Sequence, residues 1–400
     1  MSKPLKIFII AGEVSGDVLG EKIMRALPRD TVFAGIGGEH MRAAGLQSLF
    51  PISDLAVMGF FEVLARARTL TRRIRETVNA IIKFQPDIVL TIDSPGFVKR
   101  VIKKVKEKES RPSKFYHVVA PQVWAWRPGR AKEFAKIFDR LYAFFDFEVP
   151  YFTQHGLNTI PVGHPIADGI MANGKWQMAK VKKETEHTLK NSPRECFIAD
   201  GNAGLRPQKN IALIPGSRMS EVKKLLPLLR CAAEQICYQN PNVWWNFYIP
   251  VVETTEKYIR EQTANYCFKP ELIPAAKRYD LFAKTDIAIA ASGTVSAELA
   301  IMHIPAIVVY RMNPFTEFLA RLFLKIKWVS LVNILLKKTV YPELLGKHAT
   351  VENIMREVCK LENPEAREKM ISQLASADKL WHRTRPAAEI IAGDILMTND

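Results

Sequence analysis

The stretch DIAIAASGTVSAELAIMHIPAIVVY (286–310) decides the fold prediction for this chain. Its first apolar run predicts a buried strand over residues 287–291, and the polar residues 292–294 end that strand. Residues 295–303 then have helical spacing, and a second apolar run covers residues 306–310. Strand, loop, helix and strand in this order form a βαβ unit, in which a helix covers two parallel strands. The stretch therefore predicts an α/β fold.

The loop of Ser292, Gly293 and Thr294 is a candidate ligand site, because open α/β sheets bind ligands beyond the carboxyl ends of their strands. Backbone N–H groups and the positive end of a helix dipole favour an anion there. Glu298 follows Thr294 by four residues and shares its helix face. A carboxylate repels phosphate but accepts hydrogen bonds from a sugar diol, so the pattern predicts a phosphorylated sugar nucleotide. The alternative is a helix cap with an acidic residue favoured by the dipole.

Length and charge limit the class of protein. A chain of 400 residues exceeds one comfortable core, so we expect two domains. The net charge of +16 and pI near 9.6 favour acidic partners. The basic residues are spread out and carry no nucleic-acid signature. We therefore expect an anionic membrane surface or lipid as partner, and no nucleic acid.

Cysteine and histidine usage predicts a cytosolic protein without a metal site. The five cysteines are odd in number and lack CxxC spacing, which indicates reduced thiols that mostly pack in the interior. The eight histidines form no HxxxH or HxH pair. The apolar run near the N-terminus is too short for a signal peptide, and no run reaches the ~20 residues that span a bilayer.

Several features of the first half are candidates for function. A strand over residues 6–11 leads into GEVSGD (12–17), which lacks the spacing of a dinucleotide-binding loop. Residues 55–82 have helical spacing with the core on one face, and Met58 and Phe61 project to the other face near arginines. That arrangement predicts a membrane or acyl-chain contact. The alternative is a loop that packs on both side chains.

Two further motifs follow buried strands. Asp93 ends the strand over residues 88–92 and opens a Pro/Gly turn, so it is a candidate catalytic acid or base, or the acceptor of an Asx turn. Trp124 and Trp126 lie beside arginines and predict either a sugar platform or core packing.

The second half repeats the α/β pattern. A strand leads into Pro-Gly-Ser-Arg, where Arg218 offers a planar fork to a phosphate or pairs with Glu221. The predicted division of the chain is an N-terminal domain at 1–168, a linker with an irregular insertion at 169–209, a C-terminal domain at 210–380, and a helix at 381–400 that packs back on the N-terminal domain.

An ordered set of motifs along the chain is similar to the set found in one enzyme family. The motifs are AGEVSGD (11–17), GIGG (35–38), DLAVMGFFEVL (54–64), IDSPGF (92–97), APQVWAW (120–126), VGHP (162–165), IPGSRMSE (214–221), ASGTVSAEL (291–299) and VNILLKKTVYPELL (332–345). Over nearly its whole length the chain resembles the lipid-A-disaccharide synthases, which are inverting glycosyltransferases. Each motif alone is weak, but the ordered set is specific.

The resemblance implies a fold and a reaction. It implies two doubly wound, Rossmann-like domains that face a cleft, the B-type glycosyltransferase fold. The C-terminal domain would bind a UDP-sugar, and the N-terminal domain would bind the acceptor and lie on the membrane side. The enzyme would join UDP-2,3-diacylglucosamine to 2,3-diacylglucosamine 1-phosphate through a β-1,6 linkage and release UDP. No metal or other cofactor is implied, and the enzyme would be cytoplasmic and peripheral to the inner membrane.

The resemblance also assigns residues on the donor side. Arg218 and the loop at 292–294 would stabilise the leaving diphosphate. Glu298 matches the position that holds the ribose diol, and Asn333 and Glu343 match polar positions near the nucleotide.

On the acceptor side, Ser15 and Asp17 match the N-terminal loop, with Glu13 beside them. The lipid substrates would account for the basic charge and for Met58 and Phe61 as membrane or acyl contacts.

Two positions depart from the family pattern. The family often has a second Asp, proposed as general base, where this chain has Gly96, and a Gln where this chain has Gly346. Asp93 is then the nearest carboxylate and the predicted base, with Glu13 and Asp17 as alternatives. The alternatives for the whole chain are another UDP-sugar enzyme of this fold, such as a 2-epimerase, and a non-catalytic nucleotide-sugar binder at a membrane surface.

Overall fold

The computed structural model describes residues 3–55, 67–108, 113–172, 207–311, 327–381 and 383–398. The chain forms two compact units. Unit 1 consists of residues 1–165 with 382–400, and unit 2 of residues 166–381. The chain therefore leaves unit 1 once and returns to it at its end.

Unit 1 is built on a six-stranded sheet in the order β2-β1-β3-β4-β5-β6, with every pairing parallel. Its strands are β1 (Lys6–Ala11), β2 (Val32–Ile36), β3 (Ile88–Ile92), β4 (Lys114–Val118), β5 (Arg140–Ala143) and β6 (Asn158–Pro161). Phe8 and Ile10 of β1 face one core, whereas Ile7, Ile9 and Ala11 face another. A strand buried on both faces needs the continuous apolar run that residues 7–11 provide.

Helices cover both faces of this sheet. They are α1 (Val14–Ala26), α2 (Glu39–Ala43), α3 (Ala67–Phe84), α4 (Pro95–Lys106), α5 (Arg130–Ala135), α6 (Val149–Thr153) and, numbered last in the chain, α16 (Ala387–Met397). Another helix, α7 (Pro165–Ala172), crosses the boundary between the units. In α3, Ile74, Val78 and Ile81 are buried, as their helical spacing predicts.

Unit 2 contains a second parallel sheet, in the order β12-β11-β10-β7-β8-β9. Its strands are β7 (Gln208–Ile214), β8 (Trp244–Val251), β9 (Glu271–Pro274), β10 (Ile287–Ala291), β11 (Ala306–Tyr310) and β12 (Glu343–Leu345). Its helices are α8 (Met219–Gln239), α9 (Glu253–Thr263), α10 (Arg278–Lys284), α11 (Thr294–Ile301), α12 (Leu331–Leu336), α13 (Val351–Glu362), α14 (Pro364–Ala375) and α15 (Asp378–Trp381). The predicted βαβ unit is β10, α11 and β11, at the centre of this sheet.

The final helix, α16, is part of the unit 1 core. Ala388, Ile391 and Ile395 share a hydrophobic cluster with strands β1 and β3. Asp394 accepts a hydrogen bond from the Tyr142 hydroxyl at 2.7 Å and forms an ion pair with Arg140. Apolar burial and paired charge together fix the chain end on the first unit.

Two sequence expectations differ from the structure. Helix α1 begins at Val14, whereas the sequence predicts a loop over GEVSGD and a helix that starts near Val18, so most of that stretch is helical. Cys231, Cys267 and Cys359 are free and exposed, so the prediction that the cysteines mostly pack in the interior is wrong for these three. Cys231 and Cys359 lie on the exposed faces of α8 and α13, and Cys267 lies in the segment before β9.

Candidate active site

In each sheet the first strand lies in the interior of the sheet, and the later strands are added first on one side of it and then on the other. In unit 1, β1 lies between β2 and β3, and in unit 2, β7 lies between β8 and β10. Connections leave these neighbouring strands toward opposite sides, which opens a crevice beyond their carboxyl ends. The loops that follow β1 and β3 and the loops that follow β7 and β10 are therefore the candidate ligand-binding loops.

In unit 2, the loop after β10 exposes backbone at the start of α11. Gly293 is the N-cap residue and has φ +150°, a conformation that residues with a side chain rarely adopt. An added Cβ would meet nothing within 4 Å, so backbone conformation rather than space requires glycine. The Ser296 hydroxyl donates to the Gly293 carbonyl at 2.7 Å and holds the turn. The first-turn N–H groups of a helix have no partner within the helix, which suits them to an anion.

Glu298 lies one turn further along α11 and is only 5% exposed. Its Oε1 accepts hydrogen bonds from Arg278 Nη2 at 2.8 Å and from the Tyr279 hydroxyl at 3.0 Å. Its Oε2 accepts from Arg278 Nε at 3.1 Å. Burial, followed by the charge of Glu298, raises the pKa of Tyr279 to about 12, so the hydroxyl stays protonated and donates. Two residues of α10 thus fix the carboxylate that the sequence predicts for the ribose diol.

Arg278 and Tyr279 are not among the site residues predicted from the sequence. They stand 20 and 19 residues before Glu298, at the start of a short helix. The available signal was an Arg-Tyr pair at the start of the helix that precedes β10. It carries little information without the fold that brings α10 beside α11.

In the loop after β7, Gly216 has φ +104°, and a Cβ there would lie 2.6 Å from a Glu221 carboxylate oxygen. Arg218 follows and caps the start of α8. Its side chain is 58% exposed and donates to Glu221 Oε1 at 3.0 Å. The surface pairing that the sequence left open is therefore the one observed, and the predicted contact of Arg218 with a phosphate remains a prediction.

Asn333 and Glu343, both assigned to the nucleotide site by resemblance, are engaged within the protein. Asn333 is fully buried; its Nδ2 donates to Tyr341 O and Glu343 Oε1, both at 2.8 Å, and its Oδ1 accepts from two backbone N–H groups. Glu343 also accepts from the N–H groups of Val329 and Ser330. Burial raises the pKa of Glu343. Both residues tie the start of α12 to β12, and their contact with a nucleotide remains a prediction.

In unit 1, Asp93 and Ser94 form the turn after β3. Both have a left-handed backbone, with φ +62° and +49°. The Ser94 N–H donates to Asp93 Oδ1 at 2.7 Å, and the Asp93 N–H donates to Val118 O at 3.1 Å. Burial raises the pKa of the Asp93 carboxyl. Such backbone costs energy in most residues other than glycine, less in Asp than in Ser, and residues of this kind cluster at functional sites.

The loop after β1 packs directly on this turn. The Gly12 N–H donates to Ile92 O at 3.3 Å, and a Cβ at Gly12 would lie 1.8 Å from Ser94 Oγ. Only glycine at position 12 allows the two loops to approach so closely. The structure therefore brings the predicted residues Glu13 and Asp93 to the same edge of the sheet.

The three predicted acceptor-side residues have different surroundings. Asp17 is 2% exposed, and its carboxylate accepts from the N–H groups of Gly38, His40 and Met41 at 2.6–3.1 Å. A carboxylate at the start of α2 is stabilised by these groups and by the helix dipole. Ser15 is exposed on the first turn of α1, and Glu13 is half-buried before it. The geometry assigns Asp17 a structural task, and its predicted contact with an acceptor remains a prediction.

The two tryptophans of the loop after β4 have separate surroundings. Trp124 is half-buried and packs edge-on against Phe147, with ring centroids 5.5 Å apart. Trp126 is 47% exposed, and the guanidinium groups of Arg127 and Arg130 lie 4.5 and 5.8 Å from its ring centroid. Core packing and an exposed aromatic platform therefore occur side by side.

Some predicted features are not described by the structure. Met58 and Phe61 lie outside the described residues, as does most of the 169–209 segment. Among the helices that are described, none is long and apolar enough to cross a bilayer. Within the same residues, no group of three or more His, Cys, Asp or Glu side chains has an arrangement that could hold a metal ion.

Sequence comparison shows close similarity to one family. Residues 7–393 match the family described as Lipid-A-disaccharide synthetase. A lipid-A-disaccharide synthase of Rhodospirillum centenum is 38% identical over 377 residues, which cover 92% of this chain and 88% of the relative. One of Gluconobacter oxydans is 38% identical over 396 residues, which cover 98% and 90%.

Structure comparison shows the same fold in more distant proteins. A UDP-GlcNAc 2-epimerase from Neisseria meningitidis bound to UDP-GlcNAc has a TM-score of 0.59 at 14% identity, with 98% of this chain and 100% of that chain covered. MurG from Acinetobacter baumannii has a TM-score of 0.57 at 12% identity, with the same coverage. These similarities confirm the predicted B-type fold with two parallel sheets.

Proposed function

The chain belongs to the lipid-A-disaccharide synthetase family, and from that premise we propose its substrates and the residues that act on them. It is a glycosyltransferase of lipid A disaccharide synthesis. The proposed donor is UDP-2,3-diacylglucosamine, and the proposed acceptor is 2,3-diacylglucosamine 1-phosphate. Glu298 carries the proposal within the structure, because a buried carboxylate fixed by Arg278 and Tyr279 next to a helix N-terminus suits a nucleotide ribose beside its diphosphate.

On the donor side, the diphosphate takes the place in front of α11. The first-turn N–H groups after Gly293 face it, and their fixed orientation needs no reorganisation as charge grows on the leaving group. Glu298 accepts hydrogen bonds from the ribose hydroxyls while Arg278 keeps the carboxylate in place. Arg278 is thus a positioning residue.

Arg218 supplies a movable charge to the departing UDP. In the free protein it pairs with Glu221, and at 58% exposure such a pair is worth ~1 kcal/mol or less. Exchange of this partner for a diphosphate is therefore inexpensive. Since negative charge on UDP increases in the transition state, Arg218 contributes to rate as well as to binding.

On the acceptor side, Asp93 acts as general base. The acceptor 6-hydroxyl oxygen forms a bond to the anomeric carbon of the donor, the bond from that carbon to the UDP oxygen breaks, and the hydroxyl proton passes to the Asp93 carboxylate. The attack inverts the anomeric carbon and gives the β linkage. Burial raises the pKa of Asp93, which makes its carboxylate a better proton acceptor than an ordinary exposed one.

Arg218→Ala tests the donor side. We expect a lower kcat and a weaker donor affinity, each by about tenfold, because a hydrogen bond to a charged group is worth ~1.5–3 kcal/mol. Steady-state kinetics with both lipid substrates measures the two effects. Glu221→Ala is the matched control: it removes the competing partner of Arg218 and leaves or improves donor affinity. A normal kcat in Arg218→Ala contradicts the rate-enhancing role.

Association with an anionic membrane surface is the last part of the proposal. The net charge of +16 supports it, as do the acyl chains of both substrates. Contacts from Met58 and Phe61 belong to this proposal. Replacement of both by Ser is expected to reduce binding to phosphatidylglycerol vesicles at unchanged thermal stability.

The decisive experiment is product analysis by mass spectrometry after purified protein is incubated with the two lipid substrates. A diacylglucosamine disaccharide 1-phosphate and an equal amount of UDP are expected. Conversion of the donor to its 2-epimer without disaccharide would favour the alternative enzyme class. Donor binding without any turnover would favour a nucleotide-sugar binder.

A further inference from the structure

A small cavity lies beside the Asp93 turn, between the first turns of α4 and α5. Its volume is about 180 Å³, several times the ~30 Å³ that a water molecule occupies in the liquid. Pro95 and Gly96 form one wall, and Phe134, which is 1% exposed, forms part of the lining. An added Cβ at Gly96 would meet nothing within 4 Å, so this wall is open. The cavity is large enough for one phosphate group and its hydration.

Basic side chains dominate the rest of the lining. Lys99 and Arg100 come from α4, and Arg130 and Glu133 come from α5. Lys99 pairs with Glu133, and its hydrogen bond, followed by its charge, lowers the pKa of the Glu133 carboxyl. Three cations therefore face one carboxylate. Within the described residues, Arg100 and Arg130 have no ion pair of their own. These two guanidinium groups can therefore bind an anion, and their planar forks match phosphate oxygens.

The cavity is next to the proposed reacting group. Gly96 is three residues after Asp93, and both lie at the carboxyl edge of the same sheet. In a glucosamine 1-phosphate, the carbon that carries the phosphate and the carbon that carries the 6-hydroxymethyl group are both bonded to the ring oxygen. In a sugar whose phosphate occupies the cavity, the 6-hydroxymethyl group therefore leaves the ring on the other side of the ring oxygen, close to the phosphate.

An aromatic surface adjoins the same cations. Arg130 lines the cavity and also lies 5.8 Å from the ring centroid of Trp126, which is exposed. Apolar ring faces of sugars stack on such indoles. One residue thus links a surface for a sugar ring to a cavity for an anion.

We propose that this cavity is the subsite for the anomeric phosphate monoester of the acceptor, bound by Arg100 and Arg130. The inference rests on the proposed function and adds the group that distinguishes the acceptor from other diacylated sugars. Lys99 and Glu133 hold each other across the floor of the subsite. An anionic lipid headgroup has similar chemistry, and the experiment separates the two sources.

The test measures acceptor binding directly by calorimetry, with the acceptor in neutral detergent micelles and no membrane present. The variant is Arg100→Ala with Arg130→Ala. The control, Lys104→Ala with Lys132→Ala, removes two charges from exposed positions of the same two helices. We expect the first variant to raise the acceptor Kd by about tenfold or more and the control by less than about twofold, since a hydrogen bond to a charged group is lost only in the former.

A second ligand separates phosphate recognition from general damage. With 2,3-diacylglucosamine that lacks the phosphate, the variant and the wild type are expected to bind equally weakly. The UDP-donor Kd is expected to be unchanged in both variants. Equal losses with both acceptors would overturn the subsite. So would normal acceptor binding combined with weaker binding to phosphatidic acid vesicles, which would assign the cations to a lipid headgroup.

The measurements distinguish a failure of the proposed function from a failure of the proposed subsite. If the wild type binds the phosphorylated acceptor in the expected way but forms no disaccharide, the subsite stands and the reaction does not. If the wild type forms disaccharide and the variant binds the acceptor normally, the reaction stands and the subsite does not.

Discussion

The two sheets differ at equivalent points, and the difference separates the two proposed ligand sites. In unit 2, the loops that follow β7 and β10 both contain glycine with positive φ, Gly216 at +104° and Gly293 at +150°. In unit 1, the loop after β3 has positive φ at Asp93 and Ser94. Glycine adopts this backbone at little cost, whereas most other residues, such as Ser94, lose about 1–2 kcal/mol, and Asp loses less.

The difference indicates what each loop presents. Loops of unit 2 expose backbone N–H groups, which suit an anion whose charge is fixed. The loop of unit 1 retains a carboxylate in a strained turn, which suits proton transfer at one defined atom. Strain that persists at a carboxylate is more readily explained by chemistry than by stability.

Among the variants that test this comparison, Asp93→Asn is expected to have the largest effect, which is a loss of kcat. General base catalysis contributes about 10²–10⁴-fold, so kcat falls by at least about tenfold while the donor Kd is unchanged. Because burial raises the pKa of Asp93, the wild-type kcat falls on acidification at a higher pH than an ordinary carboxylate would give. Steady-state kinetics across pH measures both effects.

Asp93→Gly is the control that removes strain as well as the carboxylate. We expect an equally low kcat with thermal stability that is unchanged or higher, since glycine relaxes the positive φ. A full-rate Asp93→Asn enzyme would reject Asp93 as base and leave Glu13 as the half-buried carboxylate of the adjoining loop.

Glu298→Gln comes next and probes unit 2. We expect the UDP-sugar Kd to rise by about tenfold or more, since a hydrogen bond to a charged group is worth ~1.5–3 kcal/mol, with a smaller change in kcat. Calorimetry with UDP-sugar gives the value. Arg278→Lys, which keeps a charge but loses the planar fork, should weaken donor binding in the same direction. Unchanged affinity in both variants would remove this pair from the donor site.

Gly293→Ala tests whether backbone conformation matters in unit 2. The new Cβ has open space, so the cost comes from φ alone and is expected to be about 1–2 kcal/mol of unfolding free energy. Denaturant unfolding and UDP affinity are both expected to decrease. Gly96→Ala is the matched control, because its Cβ also has open space but its φ is not positive. If Gly293→Ala retained full stability and UDP affinity, the contrast between the two sheets would lose its basis.

Gly96→Asp is expected to have the smallest effect on stability, although the new carboxylate would face the proposed phosphate subsite. An acidic residue in the first turn of α4 meets the positive helix end, which is worth about 0.3–1 kcal/mol, and no neighbour obstructs it. Thermal unfolding should show equal or slightly higher stability. A loss of more than about 1 kcal/mol would show that the first turn of α4 cannot accept a side chain.

The fold was predictable because parallel sheets require long apolar runs. Residues 7–11 and 287–291 have no polar alternation, and both became central strands buried on both faces. The position of the loop at 292–294 could be predicted for a similar reason, since it directly follows such a strand and precedes a helix. Strand, glycine and helix start are all local in the sequence.

Residues whose partners depend on the tertiary fold could not be predicted. Asp17 accepts from the start of a helix that begins 22 residues later, and Asn333 donates to Glu343 of β12 and accepts from the N–H groups of Val340 and Tyr341. Motif resemblance assigned both to ligand sites, and it could not show these hydrogen bonds within the protein, because a polar residue in a motif has the same identity whether it binds substrate or backbone. The left-handed turn at Asp93 was equally invisible, since neither Asp93 nor Ser94 is a glycine.

The return of α16 to unit 1 has a consequence for how the protein folds while the ribosome synthesises it. The strands of unit 1 are synthesised first, but the helix that covers part of one face is made last. At about 5–20 residues per second, the 216 residues between the two pieces take about 10–40 s to synthesise. During that time Ile7, Ile9 and their neighbours lack part of their cover. We expect nascent chains that end before residue 386 to bind chaperones and to be cut by protease within unit 1, and full-length chains to resist both.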